Sequence, residues 1–132
     1  PGCSVLDYGC GSGILGIAAG LLCAGDVMGI DIDEKAVEAA RDNAARNRVT
    51  MRLQHSGVPV GDTFDLVVAN ILTNPLCVLA PAIAARVATG GRVALSGVLA
   101  TQSQQVIDAW APYLALEVGA TLDGWVRLEG RR

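Results

Sequence analysis

Histidine is almost absent from this sequence of 132 residues, in which His55 is the only one. A single imidazole excludes a metal site built from several histidines and a relay of paired histidines. The four cysteines, Cys3, Cys10, Cys23 and Cys77, form no CxxC pair, so neither a zinc knuckle nor a disulfide scaffold is indicated. We therefore expect no metal site and reduced thiols.

The sequence is also poor in charge. Asp, Glu, Lys and Arg make up 17% of it, below the usual share of about 25%. Together with a hydrophobic content of 52%, this excludes intrinsic disorder and predicts one globular domain. The net charge of −3 offers no basic surface for a phosphate backbone, so nucleic acid is not an expected partner.

Two uncharged runs, residues 8–25 and 66–85, are long enough to cross a membrane. Glycine interrupts the first run at six positions, and the second contains two asparagines and two prolines. Such residues break a lipid-facing helix, so no membrane span is expected. No basic segment followed by a cleavage site opens the sequence. We expect a soluble protein of the cytoplasm.

Short apolar runs alternate with helix-length segments, a pattern typical of βαβ units that build a parallel sheet. Ser12 or Gly13 is expected to cap the first helix and Asp33 the second. Strands are expected at about 4–8, 27–31, 50–54, 64–69, 92–97, 116–121 and 125–129, and helices at about 14–24, 34–47, 81–91 and 102–111.

A glycine-rich turn follows the first predicted strand in the segment DYGCGSG, residues 7–13. Its glycines allow backbone angles that a Cβ would block, and they let a ligand approach the bare backbone. Asp7, Asp31 and Asn70 lie at the ends of the first, second and fourth predicted strands. Because the carboxyl ends of parallel strands form the ligand crevice of an open sheet, we expect these three side chains to line it.

The glycine turn also fits a dinucleotide site. Residues 11–16 read GSGILG, and Asp31 follows Gly11 by the 20 residues expected of a dinucleotide fold. However, Asp7 places a carboxylate where a pyrophosphate would bring its own negative charge, and the same carboxylate favours an ammonium. S-adenosylmethionine fits better, with its ammonium near Asp7, its ribose hydroxyls accepted by Asp31 and no phosphate. Two alternatives remain: a domain that binds NAD, and a methyltransferase-like fold that serves only in binding or assembly.

The segments VLDYGCGSGIL, residues 5–15, and GIDID, residues 29–33, resemble the first two motifs of class I methyltransferases. Three further segments narrow the resemblance to one family: VANIL at 68–72, LSGVL at 95–99 and WVRLEG at 125–130. They resemble the ribosomal protein L11 methyltransferase family, which modifies amino groups of a large-subunit ribosomal protein. The resemblance implies a Rossmann-like α/β fold with helices on both faces. Its seven-stranded, mostly parallel sheet would have the order 3-2-1-4-5-7-6, with the last strand antiparallel.

The resemblance also implies the site. Gly9 and Asp31 would contact S-adenosylmethionine, and Asn70 would lie at its methyl-bearing end as the catalytic residue. The Asn70 amide oxygen would accept hydrogens from the target amine and orient its lone pair. Helix capping is the alternative role for Asn70, but Asn74, followed by Pro75, is the better N-cap. The full cofactor-binding set expected is Asp7, Gly9, Gly11, Gly13, Asp31, Ile32 and Asn70.

Two departures from related sequences bear on the substrate. Enzymes that act on glutamine or on base amino groups carry Asn-Pro-Pro-Tyr where residues 70–73 read NILT, so no aromatic ring is available to stack on a base. We therefore expect a protein amine, either a lysine side chain or an N-terminal amine, with S-adenosylhomocysteine as product. The resemblance implies that residues 1–132 are the catalytic domain, without the family's amino-terminal substrate-recognition domain. Residues 54–57, QHSG, lack an acid, so backbone contacts to adenine are expected.

Overall fold

The computed structural model describes residues 2–22, 25–55 and 62–132. Strands and helices alternate along the first part of the chain, as the sequence pattern predicts. The strands are β1 (Ser4–Tyr8), β2 (Asp26–Asp31), β3 (Arg52–His55), β4 (Phe64–Asn70), β5 (Val87–Leu99), β6 (Leu116–Leu122) and β7 (Trp125–Arg131). The helices are α1 (Ile14–Leu21), α2 (Glu34–Arg46), α3 (Thr73–Val78), α4 (Ala80–Ala84) and α5 (Ser103–Trp110), with a 3₁₀ turn at Ala100–Gln102.

All seven strands form one sheet of order β3-β2-β1-β4-β5-β7-β6. The pairs within β3-β2-β1-β4-β5 are parallel, whereas β7 runs antiparallel to both β5 and β6. The predicted strand order and the antiparallel last strand are therefore confirmed. Because β1 lies between β2 and β4, the strand order reverses at β1, and a ligand crevice is expected beyond its carboxyl end.

The core explains why these segments form strands and helices. Val5 and Leu6 of β1 are both buried, as expected for a central parallel strand that is covered on both faces. Asp33 caps α2 by accepting a hydrogen bond from the Lys35 amide at 2.9 Å, as predicted. Gly13, one of the two predicted caps of α1, is its N-cap in the left-handed conformation.

Helix α3 is fixed where the chain leaves β4. The buried Trp110 indole of α5 donates a hydrogen bond to the Leu76 carbonyl at 3.0 Å. The Thr73 hydroxyl is within 2.8 Å of Gln102 Oε1 and donates to it. These contacts tie α3 to α5 and to the 3₁₀ turn before it, so the residues between β4 and α3 are held from both ends.

The largest difference from the sequence prediction lies before β5. A helix was expected to run from Pro81 to Gly91, but α4 ends at Ala84 and β5 begins at Val87. The two glycines do not terminate a helix because their backbone pairs with the chain's last residue: Gly90 N donates to Arg132 O, and Arg132 N donates to Gly91 O, both at 2.9 Å. The predicted end of the first helix, residues 23 and 24, lies outside the described residues.

Candidate functional site

The glycine turn folds back over the carboxyl end of β2. The amides of Gly9 and Cys10 both donate to the Ile30 carbonyl at 2.8 Å. Gly9 and Gly11 have φ values of +73° and +54°, which L-amino acids with a side chain rarely adopt. Within the described residues nothing lies within 4 Å of the position of a Cβ on Gly11, so open space borders the backbone there.

Asp31 links the glycine turn to the loop after β2. Its Oδ2 accepts a hydrogen bond from the Gly11 amide, and its Oδ1 accepts one from the Asp33 amide, both at 2.9 Å. A carboxylate offers about four lone-pair sites, so each oxygen keeps capacity for a further donor. Asp31 is partly exposed. A pair of ligand hydroxyls is the kind of donor that such a fixed carboxylate accepts.

Asp7 is buried beneath the turn, where its Oδ2 accepts a hydrogen bond from the Gly16 amide at 3.0 Å. This amide belongs to the first turn of α1 and has no partner within the helix, so Asp7 satisfies it and places negative charge at the helix N-terminus. Burial raises the pKa of Asp7 to about 6, with the Gly16 amide lowering it and the charge of Asp31 raising it. The structure thus gives Asp7 a role in fixing the turn, and its predicted contact with an ammonium stays a prediction.

Burial, followed by the charges of Asp7 and Asp31, raises the pKa of the Cys10 thiol to about 12. The thiol is therefore protonated at neutral pH, and Cys10 is not poised as a nucleophile. Among the described residues, no three of the side-chain types that bind metals lie close enough together to hold a metal ion. No helix of the described chain is long and apolar enough to cross a membrane.

Asn70 ends β4 beside the glycine turn and is exposed. Ile71, the next residue, lies between two glycines with left-handed backbones. A Cβ on Gly9 would lie 2.8 Å from Ile71 Cγ2, and one on Gly97 would lie 2.6 Å from the Ile71 carbonyl oxygen and 3.0 Å from Asn70 Oδ1. Gly97 sits in an irregularity of β5 between Leu95 and Val98. The glycine turn and this bulge therefore clamp the Asn70–Ile71 segment.

The expected capping role of Asn74 is wrong. Helix α3 has Leu72 as its N-cap, with no side-chain cap, and Asn74 lies inside its first turn. Backbone geometry explains this, because Leu72 has the extended conformation required of an N-cap while Asn74 is already helical. Asn70 lies before the N-cap and makes no capping bond to α3. The predicted role of the Asn70 amide at the methyl-bearing end of the cofactor stays a prediction.

Two features of the site were not assigned from the sequence. His55, which has no predicted role, has its Nε2 2.6 Å from the Ile32 carbonyl and so fixes the backbone beside Asp31. Ile32 itself exposes 79% of its surface. Gly97 was read only as part of the LSGVL segment, and its contact with Ile71 depends on the pairing of β4 with β5. In the predicted adenine-side segment, residues 56 and 57 lie outside the described residues.

The sequence matches the family model for ribosomal protein L11 methyltransferase over residues 1–132. A ribosomal protein L11 methyltransferase from Dechloromonas aromatica is 56% identical over 128 residues, which cover 97% of this chain and 43% of the relative. This chain therefore spans less than half the length of that relative.

Solved structures agree with this match. A ribosomal protein L11 methylase from Lactobacillus delbrueckii subsp. bulgaricus has a TM-score of 0.93 and 34% identity, covering 100% of this chain and 71% of that one. A 16S rRNA methyltransferase from T. thermophilus, in complex with AdoMet and guanosine, has a TM-score of 0.83 at 20% identity, covering 99% and 38%, and shares the fold. The chain belongs to the ribosomal protein L11 methyltransferase family.

Proposed function

We propose that this chain is the catalytic domain of an enzyme that methylates amino groups of a large-subunit ribosomal protein. The match covers 43% of the curated relative from Dechloromonas aromatica, and we propose that an amino-terminal substrate-recognition domain outside these 132 residues presents the protein to it. The observation that carries the proposal is the Asn70 amide, exposed at the end of β4 and held beside the glycine turn by the contacts of Ile71 with Gly9 and Gly97. An amide at this place can orient an amine next to whatever occupies the turn.

The methyl donor that this assignment entails is S-adenosylmethionine, and the residues present suit it. Asp31 has acceptor capacity on both oxygens for the ribose hydroxyls. Open space at Gly11 lets a ligand lie on the backbone, and the exposed Ile32 side chain next to Asp31 offers an apolar surface for adenine. The negative charge of Asp7 near the turn favours a ligand that carries an ammonium and opposes a pyrophosphate. Gly9 and Gly13 complete the turn that shapes this site.

When bound, S-adenosylmethionine supplies a methyl group on a sulfonium; a carbon–nitrogen bond forms as the carbon–sulfur bond breaks, and S-adenosylhomocysteine is left. The chain's own task is to present the amine. A free lysine has a pKa near 10.4, so its ammonium must first lose a proton to solvent. The Asn70 amide oxygen then accepts an N–H of the neutral amine, and the Ile71 carbonyl beside it can accept another. Both contacts aim the nitrogen lone pair at the reacting carbon.

The partner and the compartment follow from the same proposal. The substrate is a ribosomal protein, so the enzyme would work in the cytoplasm, where ribosomes are assembled. Direct nucleic-acid binding is not part of the proposal, since the net charge is −3 and the sequence pI is about 4.9.

Methyl transfer in a full-length enzyme that carries this chain tests the proposal. Purified ribosomal protein L11 is incubated with enzyme and radiolabelled S-adenosylmethionine, and mass spectrometry locates the methyl groups. We expect label on amino groups of the protein. Titration calorimetry with S-adenosylhomocysteine and NADH separates the alternatives: binding of S-adenosylhomocysteine without any transfer would indicate a fold kept for binding or assembly, and binding of NADH alone would indicate a dinucleotide module.

A further inference from the structure

Thr73 is the first residue of α3 and lies three residues after Asn70. Among the described residues, Thr73 and Asp7 are the only polar or charged residues that are buried. The Thr73 hydroxyl donates a hydrogen bond to Gln102 Oε1 at 2.8 Å. Burying a hydroxyl costs free energy unless it is hydrogen-bonded. The Gln102 side chain therefore determines where the Thr73 hydroxyl, and with it the start of α3, can lie.

Helix α3 depends on such contacts, because it is short and has no side-chain cap. It contains six residues, and its N-cap, Leu72, makes no side-chain hydrogen bond to it. An isolated helix of this length is not stable in water, so packing must fix where α3 begins. A second contact, from Gln105 Nε2 to Asn74 Oδ1, is long at 3.5 Å. The bond between Thr73 and Gln102 is therefore the stronger of the two.

Gln102 itself stands on a fixed support. It is the last residue of the 3₁₀ turn that follows β5 directly. Ala100 N, at the start of this turn, donates a hydrogen bond to the Gly124 carbonyl at 2.7 Å, which ties the turn to the connection between β6 and β7. The Ser103 hydroxyl donates to the Ala100 carbonyl at 2.8 Å, which ties it to the start of α5. A side chain on such a turn holds its partner more precisely than one on a free loop does.

The segment from Asn70 to Thr73 is thus fixed at both ends by the chain of β5 and the turn after it. At one end Asn70 pairs with Ser96 of β5. At the other end Thr73 bonds to Gln102. Between them Leu72 exposes 70% of its surface, so its side chain anchors the segment little. A shift at the start of α3 therefore reaches Asn70 through only two residues of backbone.

We propose that Gln102 is a positioning residue for methyl transfer. By accepting the hydrogen bond of Thr73 it fixes the start of α3, and through that it fixes the place of the Asn70 amide. This inference rests on the proposed function, which assigns the target amine to that amide. Gln102 acts through Thr73 and is assigned no contact with the amine or the cofactor. Its loss should therefore lower kcat, and should change KM and cofactor affinity little.

The test measures methyl transfer by a full-length enzyme that carries this chain, with ribosomal protein L11 and radiolabelled S-adenosylmethionine. We expect Gln102→Leu to lower kcat by about 10-fold or more, with KM for the protein and affinity for S-adenosylhomocysteine within about 2-fold of the wild type. Thr73→Val, which replaces the hydroxyl with a methyl group, should lower kcat similarly. Thr73→Ser keeps the hydroxyl and should recover most of the activity. The double variant of Gln102→Leu and Thr73→Val should be no slower than the slower single variant, because both remove the same bond.

Two residues provide matched controls. Gln104 lies two positions after Gln102, and among the described residues its side chain bonds only to Asp108 of the same helix, at 2.7 Å. Ser4 exchanges side-chain hydrogen bonds with Asp65 near the opposite end of β4. Gln104→Leu and Ser4→Ala should therefore keep the kcat of the wild type, even where Ser4→Ala lowers the free energy of unfolding.

Three results would overturn the positioning role alone. The first is a Gln102→Leu enzyme with the kcat of Gln104→Leu, and the second is a loss that appears only in KM or in cofactor affinity. The third is equal kcat of Thr73→Val and Thr73→Ser, a comparison that decides the question even if Gln102→Leu does not fold. Absence of transfer by the wild type would instead refute the proposed function, and the positioning role with it.

Discussion

Replacing Gly97 with alanine would test how tightly the structure holds the proposed amine site. The new Cβ would lie 2.6 Å from the Ile71 carbonyl oxygen, whereas ordinary contact begins at 3.4 Å, so the two strands must separate by about 0.8 Å. A displacement near 1 Å at a reacting centre lowers rates by about 100-fold. We therefore expect Gly97→Ala to reduce kcat by about two orders of magnitude while affinity for S-adenosylhomocysteine changes little.

Backbone strain must be separated from this effect, and β5 offers a matched control. Gly90 lies in the same strand with a φ of +80°, close to the +86° of Gly97, yet nothing among the described residues lies within 4 Å of its Cβ position. Both alanine variants should lose roughly 1–2 kcal/mol of unfolding free energy, the cost of a left-handed residue with a side chain, and Gly97→Ala should lose more because its Cβ also meets the Ile71 backbone.

The assay measures kcat and KM for the protein acceptor, the calorimetric affinity for S-adenosylhomocysteine and the free energy of unfolding in urea. We expect only Gly97→Ala to show the large reduction in kcat. If its kcat stays within about 3-fold of that of Gly90→Ala, the clamp on Ile71 does not position the amine.

Three further outcomes are expected. Asp31→Ala should weaken binding of S-adenosylmethionine by about 1.5–3 kcal/mol in calorimetry, whereas Asp33→Ala should cost about 1 kcal/mol of stability by removing the cap of α2 and leave affinity nearly unchanged; equal affinities of the two variants would show that the ribose is held elsewhere. Gly9→Val should impair binding at least as much as Asp31→Ala, because the side chain would meet Ile71 and force a left-handed valine. The raised pKa of Asp7 means that the folded state binds its proton more tightly than the unfolded chain, so this residue's contribution to stability is fully present below pH 3.8 and is lost as the pH rises through about 6. Urea unfolding of the wild type minus that of Asp7→Asn should show this loss, of about 3 kcal/mol, and a difference independent of pH would contradict it.

The sequence predicts the strands and the glycine turn well because both rest on local patterns. Apolar runs and glycine spacing predicted β1, and the resemblance to a known family predicted the strand order. The helix predicted up to Gly91 failed because the partner of that backbone is Arg132, a residue far away in sequence. Local propensity carries no information about such a pairing.

In the candidate site, too, features set by the local sequence were predicted, and features set by the pairing of distant strands were not. Asp31 and the glycines stand out in the sequence because carboxylates and glycines at strand ends are locally unusual. The role of Gly97 depends on which strands are neighbours, because Gly97 meets Ile71 only where β5 pairs with β4. The buried hydrogen bond between Asp7 and Gly16 was also not foreseen, since the sequence shows the charge of Asp7 but not the direction of its side chain.

The central claim is that Asn70 orients the amine during methyl transfer, and the kinetics of Asn70→Ala test it most directly. The control is Asn47→Ala, which removes an exposed asparagine at the end of α2 whose side chain, among the residues that the structure describes, bonds only to the Asn43 carbonyl of that helix. In a full-length enzyme with ribosomal protein L11 and radiolabelled S-adenosylmethionine, Asn70→Ala should lower kcat by about 10- to 1,000-fold with cofactor affinity nearly unchanged. Asn47→Ala should behave like the wild type. Full activity of Asn70→Ala would contradict the orienting role on which the account depends.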